Sequence, residues 1–396
     1  MTGPREASET RPSVYQHMAM ATQFLAVNGI PRELAAALMS LAPANPFCTK
    51  SYAEAMHANG QQVWLLGTKR SGALIAGCYG LIASGYLNRC LRIPSLPHLP
   101  SGDVFWDGLL RFCSSHRIHC LELANSFSSG THIPPLPGEV ERRDTLEYVL
   151  DLGDPEWERN LARKHRQNIK RALETGVTLR RSAGADPCRE HVRLMGMSME
   201  RRGRRGESAA VPGGVKHQRS LSLALTGKGA GELFQAVARG EVLSSAIVLR
   251  AAEGAHYYTA GTSPEGMKCG ASHFLLYSIA RVLREESART FNLATGEVPN
   301  PGLRLFKLRF GATPVSLEHA TFYFGSNLRR RLTTAAHSLR QSGSAFLRRI
   351  GAVGRGLQLS GSVLAPCSAA DRAPALWPPC DRAQHHRLES RERGRV

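Results

Sequence analysis

The sequence predicts a mixed α/β fold in two successive units of one design. Three observations carry this reading. At 396 residues the chain is long enough for about two domains. Apolar residues recur at helical spacing in some segments and in short strand-like runs in others. The two halves also share an order: helices, antiparallel strands, a helix, a strand, a loop and a closing strand. The expected organisation is a flexible arm over 1–30, a first unit over 31–152, a second over 153–325, and a basic helix with a disordered tail over 326–396.

In the first unit, 31–42 and 49–59 read as short helices. VWLLG at 63–67 and ALIAGCYGLI at 73–82 flank a charged turn ending in Gly72, which is a hairpin signature. A Pro-rich loop at 94–100 precedes a helix over 103–115. A strand over 118–124, a second Pro-rich loop at 133–138 and a strand over 146–152 close the unit.

The second unit opens on a helix expected from Asp154, an N-cap residue followed by Pro155 and Glu156. Trp157, Leu161, Ile169, Ala172 and Leu173 fall on one face of it, and Gly176 is placed to end it. A strand at 177–180, a helix over 188–201, a Gly-rich loop at 203–214 and a helix near 215–226 follow. Strands at 232–239, 241–250 and 255–262 form a meander turning at Gly240 and Gly254. A helix over 271–286, a strand over 289–294, a loop with a short helix over 295–311 and a strand over 315–324 complete the unit.

Beyond 326, Leu328, Leu332, Ala335, Leu339, Phe346, Ile350 and Val353 follow helical spacing amid arginines. That pattern suits a terminal packed helix, an RNA contact or a membrane-surface helix over 327–353 equally. Residues 361–396 lack periodicity and are expected to be disordered.

Hydrophobic residues make up 42% and charged residues 21%, which excludes collagen-like, mucin-like and wholly disordered chains. The net charge of +19 is concentrated in 155–220 and 326–396, so the rest of the body is nearly neutral. Such segments suit anionic partners: phosphorylated or lipid-linked substrates, RNA or a membrane surface. No run of signal-peptide or transmembrane length is present, and the nine cysteines contain no C-x-x-C pair. A cytoplasmic protein is expected, with peripheral contact at the inner membrane face as an option. Cys113, His116, His119 and Cys120 are zinc-compatible in type but not in spacing, so no metal is expected.

ARKHRQNIKRALETGV (162–177), the meander at 232–263, GASHFLLYSIARVLREE (270–286), FNLATG (291–296) and GLRLFKLRFGA (302–312) occur in one order. Together these segments resemble the Fem-type, BioF2-like branch of the GNAT acyltransferase superfamily. The likeness covers about 150–325, and the first half is similar in layout only. It implies a tandem of two GNAT-like units, the first degenerate. It also implies an enzyme: an N-acyltransferase, either a GNAT N-acetyltransferase or a Fem-like aminoacyltransferase. Such an enzyme would act on an amine of an amino-sugar or peptide cell-envelope precursor by direct attack. The absence of G-x-S-x-G fits chemistry without a covalent intermediate. The alternative is a non-catalytic GNAT-fold module that binds RNA or polysaccharide-assembly partners.

The resemblance singles out Lys307, in the Phe306-Lys307 step, as the lysine associated with the transferred group or a substrate phosphate. A cation there could neutralise a developing oxyanion. Tyr258 is expected to face the cleft, since Tyr257 must then point the other way. Glu297 is expected to receive a proton from the amine, and Asn292 to bind substrate at the same sheet end. Gly266, Gly270 and Ala271 match the small residues of the family's acyl-CoA pyrophosphate turn. That turn's leading Arg or Gln is missing, which keeps both acyl-CoA and aminoacyl-tRNA open as donor. Arg166, Arg201 and Arg202 are expected substrate-phosphate ligands, with Phe306 beside them. DNA is not expected as a partner.

Overall fold

The computed structural model describes residues 22–85, 88–99, 103–128, 130–205, 211–295 and 301–325. Its strands are β1 (Gln23–Asn28), β2 (Gln62–Arg70), β3 (Ala73–Ser84), β4 (Arg89–Ile93), β5 (Cys120–Ala124) and β6 (Glu139–Asp151) in the first half. The second half contributes β7 (Thr178–Ser182), β8 (Gly231–Ala238), β9 (Glu241–Arg250), β10 (Gly254–Thr262), β11 (Thr290–Thr295) and β12 (Thr313–Tyr323). The helices are α1 (Arg32–Leu41), α2 (Lys50–Ala58), α3 (Asp103–Ser115), α4 (Arg163–Glu174), α5 (Ala185–Gly203), α6 (Gly214–Gly227), α7 (Pro264–Cys269), α8 (Ala271–Glu285) and α9 (Pro301–Leu308).

All twelve strands form one mixed sheet, in the order β1-β2-β3-β4-β5-β12-β6-β11-β10-β9-β8-β7. The two halves are therefore fused, not strung together. The last strand, β12, runs antiparallel to β6 from Thr313↔Val149 to Phe322↔Glu139. Its far end pairs with β5, from His319↔Ala124 to Tyr323↔Cys120. A strand of the second half thus closes the sheet of the first.

The cores repeat this sharing. Trp157, Phe274, Leu275, Ile279, Phe291 and Phe310 pack α4 and α8 against one face of the second half. Phe105, Leu109 and Phe112 of α3 cover the first half. A third cluster joins Leu38, Phe47, Tyr52 and Met56 to Leu221, Leu225, Ile247 and Leu249, which come from the other half. Fully burying one such side chain is worth about 1.5–3 kcal/mol, so neither half keeps its full stability alone.

Four local expectations are corrected. The arm over 1–30 contains β1, which pairs with β2 from Gln23↔Lys69 to Asn28↔Trp64. Six residues of mixed polarity on a sheet edge carry too weak a period to stand out. The helix expected from Asp154 begins at Arg163. Asp154 does accept the Glu156 N–H at 2.8 Å, but it starts a string of turns that drops Trp157 into the core. Strand β4 was hidden before the Pro-rich loop, because Arg89, Cys90 and Arg92 break its apolar run. The stretch after β10 folds as the short helix α7, capped by the Ser263 hydroxyl accepting from Gly266 N–H at 3.0 Å. The helix expected over 327–353 and the tail over 361–396 lie outside the described residues.

Candidate active site

β10 and β11 are parallel neighbours, but they pair for only three residues, ending at His256↔Asn292. Beyond that point β10 continues to Thr262, held by β9 alone, with a bulge between Tyr257 and Thr259. β11 slips register against β6 between Asn292 and Thr295. Ala294 within that slip has φ 62°, in the left-handed region. Asn292 Oδ1 accepts the Ala294 N–H at 2.7 Å and holds this turn. The result is a fork in the middle of the sheet, where two parallel strands part.

Lys307 enters the fork from α9. It is 95% buried, and its Nζ donates to the carbonyl oxygens of Ala294 at 2.9 Å and Thr295 at 2.7 Å. The left-handed turn at Ala294 sits where those two carbonyls face the lysine. A backbone conformation that costs a non-glycine residue about 1–2 kcal/mol is thus found at the point where the lysine is anchored. α9 is itself pinned: the Ala162 N–H donates to the Arg309 carbonyl at 2.9 Å, and the His165 ring nitrogen bonds the Phe306 carbonyl at 2.9 Å.

A buried carboxylate faces this lysine. Glu147 on β6 accepts from Asn292 Nδ2 at 2.8 Å and from the Ser126 hydroxyl at 2.8 Å. Burial raises the Glu147 carboxyl, opposed by Asn292, Ser126 and the Lys307 charge. Burial lowers the Lys307 ammonium from 10.5 to about 7, opposed by Glu147. His256, the last residue paired before the fork, is pushed down to about 3 by burial and then by Lys307, so it is neutral at neutral pH. Its Nδ1 is buried without a partner, and its ring meets Phe47 edge-on at 5.2 Å.

The expected site residues divide. Lys307 and Asn292 come together at the fork, joined through Glu147. Tyr258 lies two residues past His256 on the same face, its ring 6.2 Å from the histidine. It packs on the core shared by the halves, while Tyr257 packs on the opposite face. Burial raises the Tyr258 phenol, and Arg92 partly offsets this. Arg201 reaches the mouth of the fork, where it donates to the Thr262 carbonyl at 3.1 Å and to the Ser198 hydroxyl at 3.2 Å. Arg202 lies on the same last turn of α5. Glu297 lies outside the described residues.

Three of the expected groups have packing or hydrogen-bond partners of their own. Arg166 is exposed and folds back onto the Leu161 and Arg159 carbonyls, away from the fork. The next-turn carbonyls before α4 lack helical partners, and the nearest guanidinium takes them. The Phe306 ring meets those of His165, His273 and Phe310 at steep angles and 5.0–5.2 Å, because it lies on the face of α9 that meets α4 and α8. The turn with Gly266, Gly270 and Ala271 packs its glycines against protein, while Ser263 and Glu265 border an open groove. A Cβ on Gly266 would run into the Leu243 carbonyl, and one on Gly270, at φ +85°, into the Asn168 carbonyl. The Gly270 N–H is spent on Gly266 O, and Ala271 is fully buried. Small residues are needed there for the turn to pack closely on Leu243 and Asn168.

Sequence reasoning missed Glu147, Ser126 and His256. Glu147 left a signal: an acid inside the apolar run LEYVL at 146–150. His256 left none, since a histidine on a strand reads as core. Among the other polar clusters, Cys113 is buried with its thiol pushed up to about 12, and His116 stacks on Phe112 at 4.1 Å. A different trio, Cys90, Cys120 and Glu122, lies within 4.8 Å, with Glu122 already held by Arg92 at 2.8 Å. A groove of about 410 Å³ beside Glu190, Arg193, Glu241 and Glu265 lies by the β8–β9 turn, off the lysine cluster.

Residues 159–300 match the family model described as acetyltransferase (GNAT) domain. A search of the curated proteins finds no match. Among solved structures the chain is similar to FemX, at TM-score 0.57 and 14% identity over 74% of this chain and 96% of that one. It is also similar to a conserved protein of unknown function from Bacteroides thetaiotaomicron, at TM-score 0.51 and 11% identity over 76% of this chain and all of that one. A tandem GNAT protein from the clavulanic acid biosynthesis pathway follows at TM-score 0.47 and 13% identity, over 78% of this chain and all of that one. The overall fold is GNAT-like, and the GNAT domain model matches its second half over residues 159–300. Its likeness to FemX is one of fold. Among the described residues no helix is long and apolar enough to cross a membrane.

Proposed function

We propose that the protein transfers an acyl or aminoacyl group to a primary amine of an amino-sugar or peptide cell-envelope precursor. The amine attacks the donor carbonyl in the fork. A C–N bond forms, the donor C–S or C–O bond breaks, and the leaving thiol or hydroxyl departs with the proton the amine releases. The observation that carries this reading is Lys307, a buried lysine anchored by two carbonyls at the point where β10 and β11 part. In its charged form a third N–H remains for the oxyanion of the tetrahedral intermediate. A donor of that kind is worth about 10²–10³ in rate. Glu147 and Asn292 hold the lysine's surroundings, and Tyr258 and His256 line the same face.

The turn at 263–271 lacks the leading Arg or Gln of a pyrophosphate turn, which favours the aminoacyl ester of a charged tRNA over acyl-CoA as donor. Arg201 and Arg202, in the last turn of α5, are the proposed ligands of an anionic or phosphorylated acceptor. The test is transfer from labelled acyl-CoA and from charged tRNA to amino-sugar and peptide acceptors, with Lys307→Ala beside the wild type. Donor consumption that depends on Lys307 supports the reading. Nucleic-acid or polysaccharide binding with no turnover from either donor would instead leave a non-catalytic module.

A further inference from the structure

Seven large apolar side chains are exposed among the described residues, and four of them gather on three touching helices. They are Leu173 on α4 (56% exposed), Met267 on α7 (50%), and Leu305 (43%) and Leu308 (36%) on α9. α4 joins α9 through the Ala162–Arg309 backbone bond, and joins α7 where the Arg171 guanidinium meets the Lys268 carbonyl at 3.5 Å.

The same helices are strongly cationic. Arg163, Lys164, Arg166, Lys170 and Arg171 are exposed along α4, and Lys268, Arg304 and Arg309 continue the charge onto α7 and the end of α9. Their only carboxylates are Glu174, which Lys170 meets at 3.7 Å, and Glu265. We propose that this α4–α7–α9 face docks the protein on an anionic lipid bilayer.

Both halves of the pattern are needed to choose the partner. An RNA backbone would neutralise the cations and leave four apolar side chains in water. A lipid interface takes the apolar groups below the headgroups and the cations among the phosphates. The long stems of Lys and Arg also lie along such a boundary at little cost. α9 then presents Leu305 and Leu308 to lipid and Lys307 to the fork, so docking sets the fork one helix away from the headgroups. This surface does not depend on the reaction proposed above.

The test uses the full chain, sedimented with vesicles of phosphatidylglycerol and phosphatidylcholine and with vesicles of phosphatidylcholine alone. The expected result is binding to the anionic vesicles that weakens as salt rises. Arg163→Gln, Lys164→Gln and Arg304→Gln together should weaken it about a hundred-fold, near five-fold per charge. Met267→Ser with Leu305→Ser should weaken vesicle binding several-fold and leave binding to a homopolymeric RNA unchanged. Circular dichroism melting verifies that each variant is folded. Two results overturn the proposal: vesicle binding by both variants as tight as wild type, or a charge variant that loses RNA and vesicles alike while the apolar variant loses neither.

Discussion

Replacing Lys307 by methionine tests how the fork holds its lysine. Methionine has similar length and no charge, so it removes the titration and keeps most of the packing. The Lys307 ammonium is lowered from 10.5 to about 7 by burial. Below pH 7 the lysine carries its proton in both folded and unfolded chains, and no pH slope arises. Between pH 7 and 10.5 the unfolded chain holds a proton that the folded chain has released, so stability rises with pH. The slope is at most about 1.4 kcal/mol per pH unit, which sums to roughly 5 kcal/mol across the window. Burial also raises the Glu147 carboxyl, which both wild type and the variant keep. Urea melts of wild type and Lys307→Met at matched pH values measure the difference. Wild type should gain on the variant from pH 7 to 10. A flat difference would refute the claim that this lysine titrates near 7 inside the fork.

Glu147→Gln keeps the shape but removes the charge facing Lys307 and turns one amide end towards the Asn292 and Ser126 donors. A loss of about 1–3 kcal/mol is expected in thermal or urea unfolding. Gly270→Ala places a Cβ against the Asn168 carbonyl at a left-handed φ, so it should cost at least about 2 kcal/mol. A stable Gly270→Ala protein that had lost donor binding would return the turn to the donor site. Ala294→Gly relieves a left-handed alanine, and a gain near 1 kcal/mol in unfolding free energy is expected.

Much of this fold was legible because its signals are local. The hairpin at Gly72, the meander at 232–262 and the helix over 271–286 each carry their own period and turn residues. The single shared sheet was not legible, since β12 pairs with β5 and β6 through contacts nearly two hundred residues apart, such as His319↔Ala124. The site follows the same divide. Lys307 stood out as a cation in an apolar run. Its carboxylate partner lies on a strand of the other half, and only the sheet order brings Glu147 to it. Arg166 and Phe306 misled because residue type marked them, whereas helix phase decides where each side chain points. Gly266 and Gly270 carried a true signal of close approach, but the sequence could not say what approached.

The central claim is that the fork transfers an acyl or aminoacyl group with the help of Lys307. Single-turnover transfer to an amine acceptor, from charged tRNA and from acyl-CoA, measures it most directly in wild type and Lys307→Ala. Wild type should turn over, with charged tRNA the better donor, and the variant should run about 10²–10³ slower. Equal rates in the two proteins would contradict it.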